Sequence, residues 1–153
     1  MTSALLLFVG KTKEGFIRDG IEKYRELAGH FLPVEVREIK GAGSKEKAAA
    51  IEEEAGSILA RLQPGDFLVA LDERGREYDS VGLAGELKKL NESGQRIVFA
   101  TGGPFGLSNK VKERADLLLS LSKLTFTHEM ARLIMLEQLY RAMTIIKGKT
   151  YHY

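Results

Sequence analysis

The sequence predicts an α/β fold: one domain whose mostly parallel sheet is flanked by helices. Three observations lead there. Short apolar runs alternate with segments of helical periodicity along all 153 residues. The runs ALLLFV, FLVAL and IVFA are apolar without interruption, as strands covered on both faces require. No linker, repeat or low-complexity stretch divides the chain, so residues 1–153 read as a single domain.

The elements follow in order. Ala4–Val9 is the first buried strand, and residues 14–28 form a helix with Phe16, Ile17, Ile21, Tyr24 and Leu27 at helical spacing. Val34–Ile39 alternates apolar and polar, which suits a strand near an edge. After the flexible stretch KGAGSKEK, Ser44 is a candidate N-cap for a helix reaching residue 62. A turn at Pro64–Asp66 leads to a strand at 67–71, then the polar loop DERGREYDS, and Asp79 or Ser80 caps a helix to residue 92. A strand at 96–101, a short helix after Ser108, a strand at 116–121 and a long helix at 128–147 complete the chain. Apolar residues spread around most of that last helix, so more than one of its sides must be covered. A second subunit is the simplest cover; a neighbouring helix of the same chain is the alternative.

Composition narrows the chemistry. A net charge of +2 permits nucleic-acid binding without demanding it. There is no cysteine, hence no disulfide, thiolate metal site or cysteine nucleophile, and His30, His128 and His152 lack ligand spacing, so no metal is expected. The N-terminal MTSALLLFVGK carries no basic leader and no run is long enough to span a membrane, which predicts a cytoplasmic protein.

Four stretches can carry chemistry. In GGPFGLS, Gly102, Gly103 and Gly106 let backbone amides approach a ligand, although the spacing fits neither a dinucleotide fingerprint nor a P-loop. The same residues also suit a plain strand-to-helix turn capped by Ser108. LSKLTFTH, residues 121–128, alternates apolar and small polar side chains able to wrap a flat ring, with Thr127 as a helix cap. In DERGREYDS, Asp72, Glu73 and Asp79 can bind a ribose, act as bases or simply be solvated. The tail KGKTYHY joins cations, aromatic faces and an imidazole, a combination suited to unpaired RNA bases, or else it frays. Arg132 and Arg141 can bind phosphate or pair with Glu137, and His128 suits a structural hydrogen bond.

Taken jointly, GGP-x-G, SLS-x-L-T, H-x-x-x-R, EQLYRA and a terminal YH resemble the RlmH family. These are small bacterial methyltransferases of the SPOUT class that act on N3 of a pseudouridine in 23S rRNA. The similarity runs over essentially the whole chain, including the opening LLLFVGK. It implies an α/β knot over roughly residues 96–148, a tail at 149–153, and a homodimer paired through the final helices. It implies S-adenosylmethionine as methyl donor, held by Leu71, Gly102, Gly103, Leu121, Ser122, Lys123, Leu124, Thr125 and Phe126. Tyr151 and His152 are then expected over the target base, with Arg132, Arg141 and Lys149 on RNA, and an assembled ribosome as substrate. Relatives commonly place a basic residue after the YH pair and a proline before it; here those positions are Tyr153 and Thr150. Rival readings are a non-catalytic RNA-binding module, a generic nucleotide-binding enzyme, and a knotted methyltransferase acting on tRNA or another base.

Overall fold

The structure, a computed structural model, describes residues 2–151. Its elements are β1 (Ala4–Val9), α1 (Gly15–Gly29), β2 (Val34–Ile39), α2 (Lys47–Leu59), β3 (Phe67–Arg76), α3 (Ser80–Ser93), β4 (Ile97–Thr101), α4 (Asn109–Arg114), β5 (Leu117–Leu119) and α5 (His128–Ile146). The strands form one five-stranded sheet in the order β2-β1-β4-β3-β5, with every neighbouring pair parallel.

The unbroken apolar runs have the cause the sequence suggests. Side chains alternate across a strand, so each run feeds two cores. Leu5, Leu7, Val9, Leu68, Ala70, Val98 and Ala100 pack on one face against Ala55 and Ile58 of α2 and Val111 of α4. Leu6, Phe8, Val69, Ile97 and Phe99 face the other way, onto Ile17 and Ile21 of α1, Leu83 and Leu87 of α3, and Met135 and Leu139 of α5. Each such aliphatic or phenyl group contributes roughly 1.5–3 kcal/mol by leaving water. β2 shows a wet face, with Glu35 and Arg37 exposed, as its edge position requires.

Three expectations change in detail. α2 starts at Lys47, three residues beyond the proposed Ser44 cap. The preceding loop is strapped to the helix instead: the N–H groups of Ala42 and Gly43 donate to the carboxylates of Glu54 and Glu53. β3 is longer than expected, because the polar stretch after Leu71 returns to the sheet. Arg76 pairs with Leu119 after a register shift, and the N–H of Ser120 donates to the Arg76 carbonyl at 2.9 Å. Gly75 makes this possible, since a Cβ there would lie 2.6 Å from the Leu118 carbonyl oxygen. β5 is shorter than expected at both ends, and at its start the Asp116 carboxylate, in place of a strand carbonyl, accepts the Leu68 N–H at 2.8 Å.

Part of the long helix α5 is covered within its own chain. The sheet lies under it, and α1 flanks it, with the Tyr24 and Tyr140 rings 6.1 Å apart. The stripe Ala131, Ile134, Gln138, Arg141 and Ile145 stays half-buried. No described helix is long and apolar enough to cross a membrane.

Candidate active site

The irregular stretch of β3 after Leu71 and the C-terminal ends of β4 and β5 open into a single cleft of about 770 Å³. Ligands in open parallel sheets settle in this position, where diverging strand ends leave a crevice. Its size matches that of a small-molecule site.

The β4 end supplies the floor. Gly102 packs so tightly on the returning loop that a Cβ would sit 2.5 Å from the carbonyl carbon and oxygen of Gly106. Gly106 itself has φ of +82°, which a side chain would strain. A bridge between Gly103 and Gly106 closes the loop, and Ser108 then caps α4 by accepting the Val111 N–H at 3.3 Å. The capped turn is present, and its glycines also line the cleft. Beside them the buried Thr101 hydroxyl, also in the lining, has no hydrogen-bond partner among the described residues. An orphaned buried hydroxyl next to bare backbone suits a polar ligand.

The other walls come from β3 around Leu71 and from the β5 end. Leu71, Leu121 and Phe126 supply apolar surface, with Ser122, Leu124 and Thr125 on the same loop. The loop is pre-shaped: the Ser120 hydroxyl donates to the Ser122 carbonyl and the Ser122 hydroxyl accepts the Leu124 N–H, both at 3.0 Å. Thr125 ties the two walls together by donating to the Glu73 carboxylate at 2.6 Å. Thr127 caps α5, accepting the Met130 N–H. Lys123, expected with this set, does not line the cleft; its exposed side chain turns outward, with the ammonium 3.9 Å from Glu77.

Asp72 lies in the cleft wall beside Lys112, at 3.2 Å. Burial works against its charge, but the Arg74 N–H and the Lys112 ammonium overcome this and hold the carboxyl below its usual range. It is thus a fixed anion at neutral pH, able to accept a hydrogen bond. Asp79 is no candidate for the cleft, because it caps α3 by accepting the Gly82 N–H at 2.6 Å. The sequence did not single out Lys47, Phe105 or Ala131, which also line the cleft; a sequence position alone carries no sign of which neighbours a fold brings together.

Arg132 requires a correction. Expected on RNA, it is fully buried. Its guanidinium donates to the Val9 carbonyl at 2.6 Å and the Thr12 hydroxyl at 2.8 Å, and lies over the Phe8 ring at 5.0 Å. Glu38 lies 3.8 Å away and accepts the Thr12 N–H. One turn earlier, Glu129 accepts the N–H groups of Lys13 and Glu14 at 3.1 and 3.0 Å. The H-x-x-x-R motif therefore fastens the loop after β1 to α5, where no phosphate reaches. His128, half-buried at the cleft edge, is pushed toward its neutral form by burial and by the nearby Arg132 charge.

Arg141, Tyr151 and Lys149 lie outside the cleft lining. Arg141 stacks on the Tyr151 ring at 3.6 Å, and the Tyr151 hydroxyl donates to Glu137. Lys149 is exposed. His152 falls outside the described residues. Among the described residues, no cluster of three acidic, histidine or cysteine side chains is placed to hold a metal.

A five-stranded parallel sheet with a glycine-floored cleft of small-molecule size defines an open parallel α/β domain. The chain belongs to the SPOUT methyltransferases: the family described as "Predicted SPOUT methyltransferase" matches residues 2–152. It is 45% identical over 148 residues to the ribosomal RNA large subunit methyltransferase H of Desulfotalea psychrophila, covering 96% of this chain and 97% of that one. It is 42% identical over 152 residues to the protein of the same name from Parabacteroides distasonis, covering 97% of each. A solved chain described as "Probable Methyltransferase" from Bordetella pertussis Tohama I has the same fold, with a TM-score of 0.57 at 13% identity, over 93% of this chain and 96% of that one.

Proposed function

We propose that this chain is an S-adenosylmethionine-dependent methyltransferase of large-subunit ribosomal RNA, acting on N3 of a pseudouridine. The observation that carries the cofactor assignment is the cradle at Gly102, where only a glycine fits and the neighbouring Thr101 hydroxyl awaits a partner. The substrate assignment rests on kinship with the full-length relatives named above.

In this reading Leu71, Leu121 and Phe126 enclose the adenine, while Gly102, Gly103, Ser122, Leu124 and Thr125 offer polar contacts around the nucleoside. Lys123 would contribute through its backbone alone. When bound, the cofactor supplies an electrophilic methyl group. The chain's own work is to align the two reactants and exclude water, where positioning removes much of the barrier. The target nitrogen bears a proton that must leave. Tyr151 is unsuited to take it: burial and the Glu137 carboxylate push its phenol up to about 12, so it stays protonated and can only donate. His152 is the remaining candidate base in the tail.

The proposal includes a homodimer paired through the half-buried stripe of α5 and threading of the C-terminal part as a knot. Tyr151 sits on α5 and not in its own cleft, which supports a site completed by the tail of a second copy. Arg141 and Lys149 would then lie beside the incoming RNA, with an assembled ribosomal particle as the substrate. Tritiated-methyl transfer to free rRNA, 50S subunits and 70S ribosomes, with mass spectrometry of the labelled nucleoside, tests the reading. Label on a pseudouridine N3 in assembled particles is expected; no transfer to any large-subunit RNA refutes it.

A further inference from the structure

Two motifs that lie apart in the sequence meet in the fold. EQLYRA occupies the third and fourth turns of α5, and Tyr151 of the tail lies against it. Each group of the motif that faces the tail has a definite contact. The Glu137 carboxylate accepts from the Tyr151 hydroxyl through Oε2, while its Oε1 accepts from the Gln138 amide at 2.7 Å. The Tyr140 ring lies 5.6 Å from the Tyr151 ring. The Arg141 guanidinium covers the Tyr151 face at 3.6 Å, and its Nε stands 3.6 Å from Glu137. An acceptor, a tilted neighbouring ring and a cation over the π face each hold the phenol. A carboxylate–phenol hydrogen bond is charge-assisted and stronger than a neutral one.

We propose that Glu137, with Tyr140 and Arg141, is the dock of the C-terminal tail, and that Glu137 is a positioning residue that fixes where the residues after Tyr151 are presented. This rests on the methyltransferase reading and deepens it, because the tail is the part assigned to the target base. Arg141 is then chiefly a tail contact, with RNA secondary. The exposed alternative, a frayed tail, would leave Glu137 with solvent and Arg141 without its ring.

The test is a double-mutant cycle in methyl transfer to ribosomal particles, using E137A and Y151F. Y151F removes one oxygen and leaves the ring under Arg141, so it keeps the cycle informative should E137A disturb α5. Each single variant is expected to lose about tenfold in kcat, with KM for S-adenosylmethionine unchanged, and the double variant to lose no more than either single, since the two groups act as one contact. E137Q keeps an acceptor oxygen and should retain activity within about threefold of wild type. Losses that multiply, or a single variant within about twofold of wild type, overturn the dock. A second readout is independent of RNA. With ring-labelled tyrosine, the Tyr151 phenol should titrate late in the wild type and return toward the ordinary phenol range in E137A. An unchanged titration overturns the dock whatever the transfer assay gives, while an inactive wild type with the expected titration defeats the methyltransferase reading and leaves the dock standing.

Discussion

The two arginines of α5 look alike in the sequence and do opposite work in the fold. Arg132 lies on the buried side of the helix, among the Val9 carbonyl, Thr12 and Glu38, and has no exposure at all. Arg141, on the half-buried outer side, covers a tail aromatic and is only partly shielded. Both carry a guanidinium, but the surroundings decide its use. In the interior, desolvation is severe enough that burial pulls the Arg132 pKa down, and only fixed acceptors make the charge tolerable. At the surface the same group is cheap to place and easy to redirect. The N-terminal end of α5 is thus a structural clamp, and its C-terminal end is a presentation surface.

The largest expected effect is on the clamp. Arg132→Ala should cost on the order of 3–5 kcal/mol, because it strands the buried Val9 carbonyl and leaves Glu38 and Glu129 without their cation. In urea melts Arg141→Ala should cost under about 1 kcal/mol, as partly exposed charges do; equal costs would erase the distinction between the two ends. Next comes the presentation surface. Removing residues 151–153 should lower methyl transfer by about a hundredfold, the scale of a misplaced reacting group. Calorimetry should find S-adenosylmethionine affinity within about twofold of wild type, since no described tail residue lines the cleft. An equal loss of cofactor affinity would show that the tail helps build the cleft. Between these, Gly102→Ala should weaken cofactor binding by about tenfold or more, or roughly 1.4 kcal/mol, and leave the Arg132 clamp intact.

The smallest effect is pH-dependent and again divides the helix. Burial opposes the charge on Glu129, yet the N–H groups of Glu14 and Lys13 and the Arg132 charge hold its carboxyl below the usual range. A folded pKa below the unfolded one gives stability that is complete above the unfolded value, about 4.3, and is lost as pH falls through the folded value. Glu129→Gln should therefore be less stable than wild type at pH 7, with the gap closing toward pH 3. A gap independent of pH would mean that Glu129 contributes by packing alone.

Much of this organisation was readable beforehand, and the reasons are local. Continuous apolar runs at β1, β3 and β4 signal strands buried on both faces, and Asp79, Ser108 and Thr127 announce helix starts through the hydrogen bonds their side chains then make. The cleft residues Leu71, Gly102 and Leu121 stood out because each ends an apolar run. What stayed hidden depends on distant partners. The return of Arg76 to β5 is masked by the polar composition of DERGRE, and only Gly75 hints at backbone packed on backbone. The burial of Arg132 could not be read from an arginine on an apolar helix face, because its acceptors come from β1, β2 and the loop between β1 and α1.

The central claim is that the stretch around Leu71 in β3 and the bends after β4 and β5 together hold one adenosyl group. A crystal structure with S-adenosylhomocysteine addresses it without needing any RNA. Density lying between Leu71, Gly102–Gly103 and the 121–126 loop, with a polar contact to the Thr101 hydroxyl, is the predicted result. Density elsewhere on the molecule, or an empty cleft at saturating ligand, would contradict it.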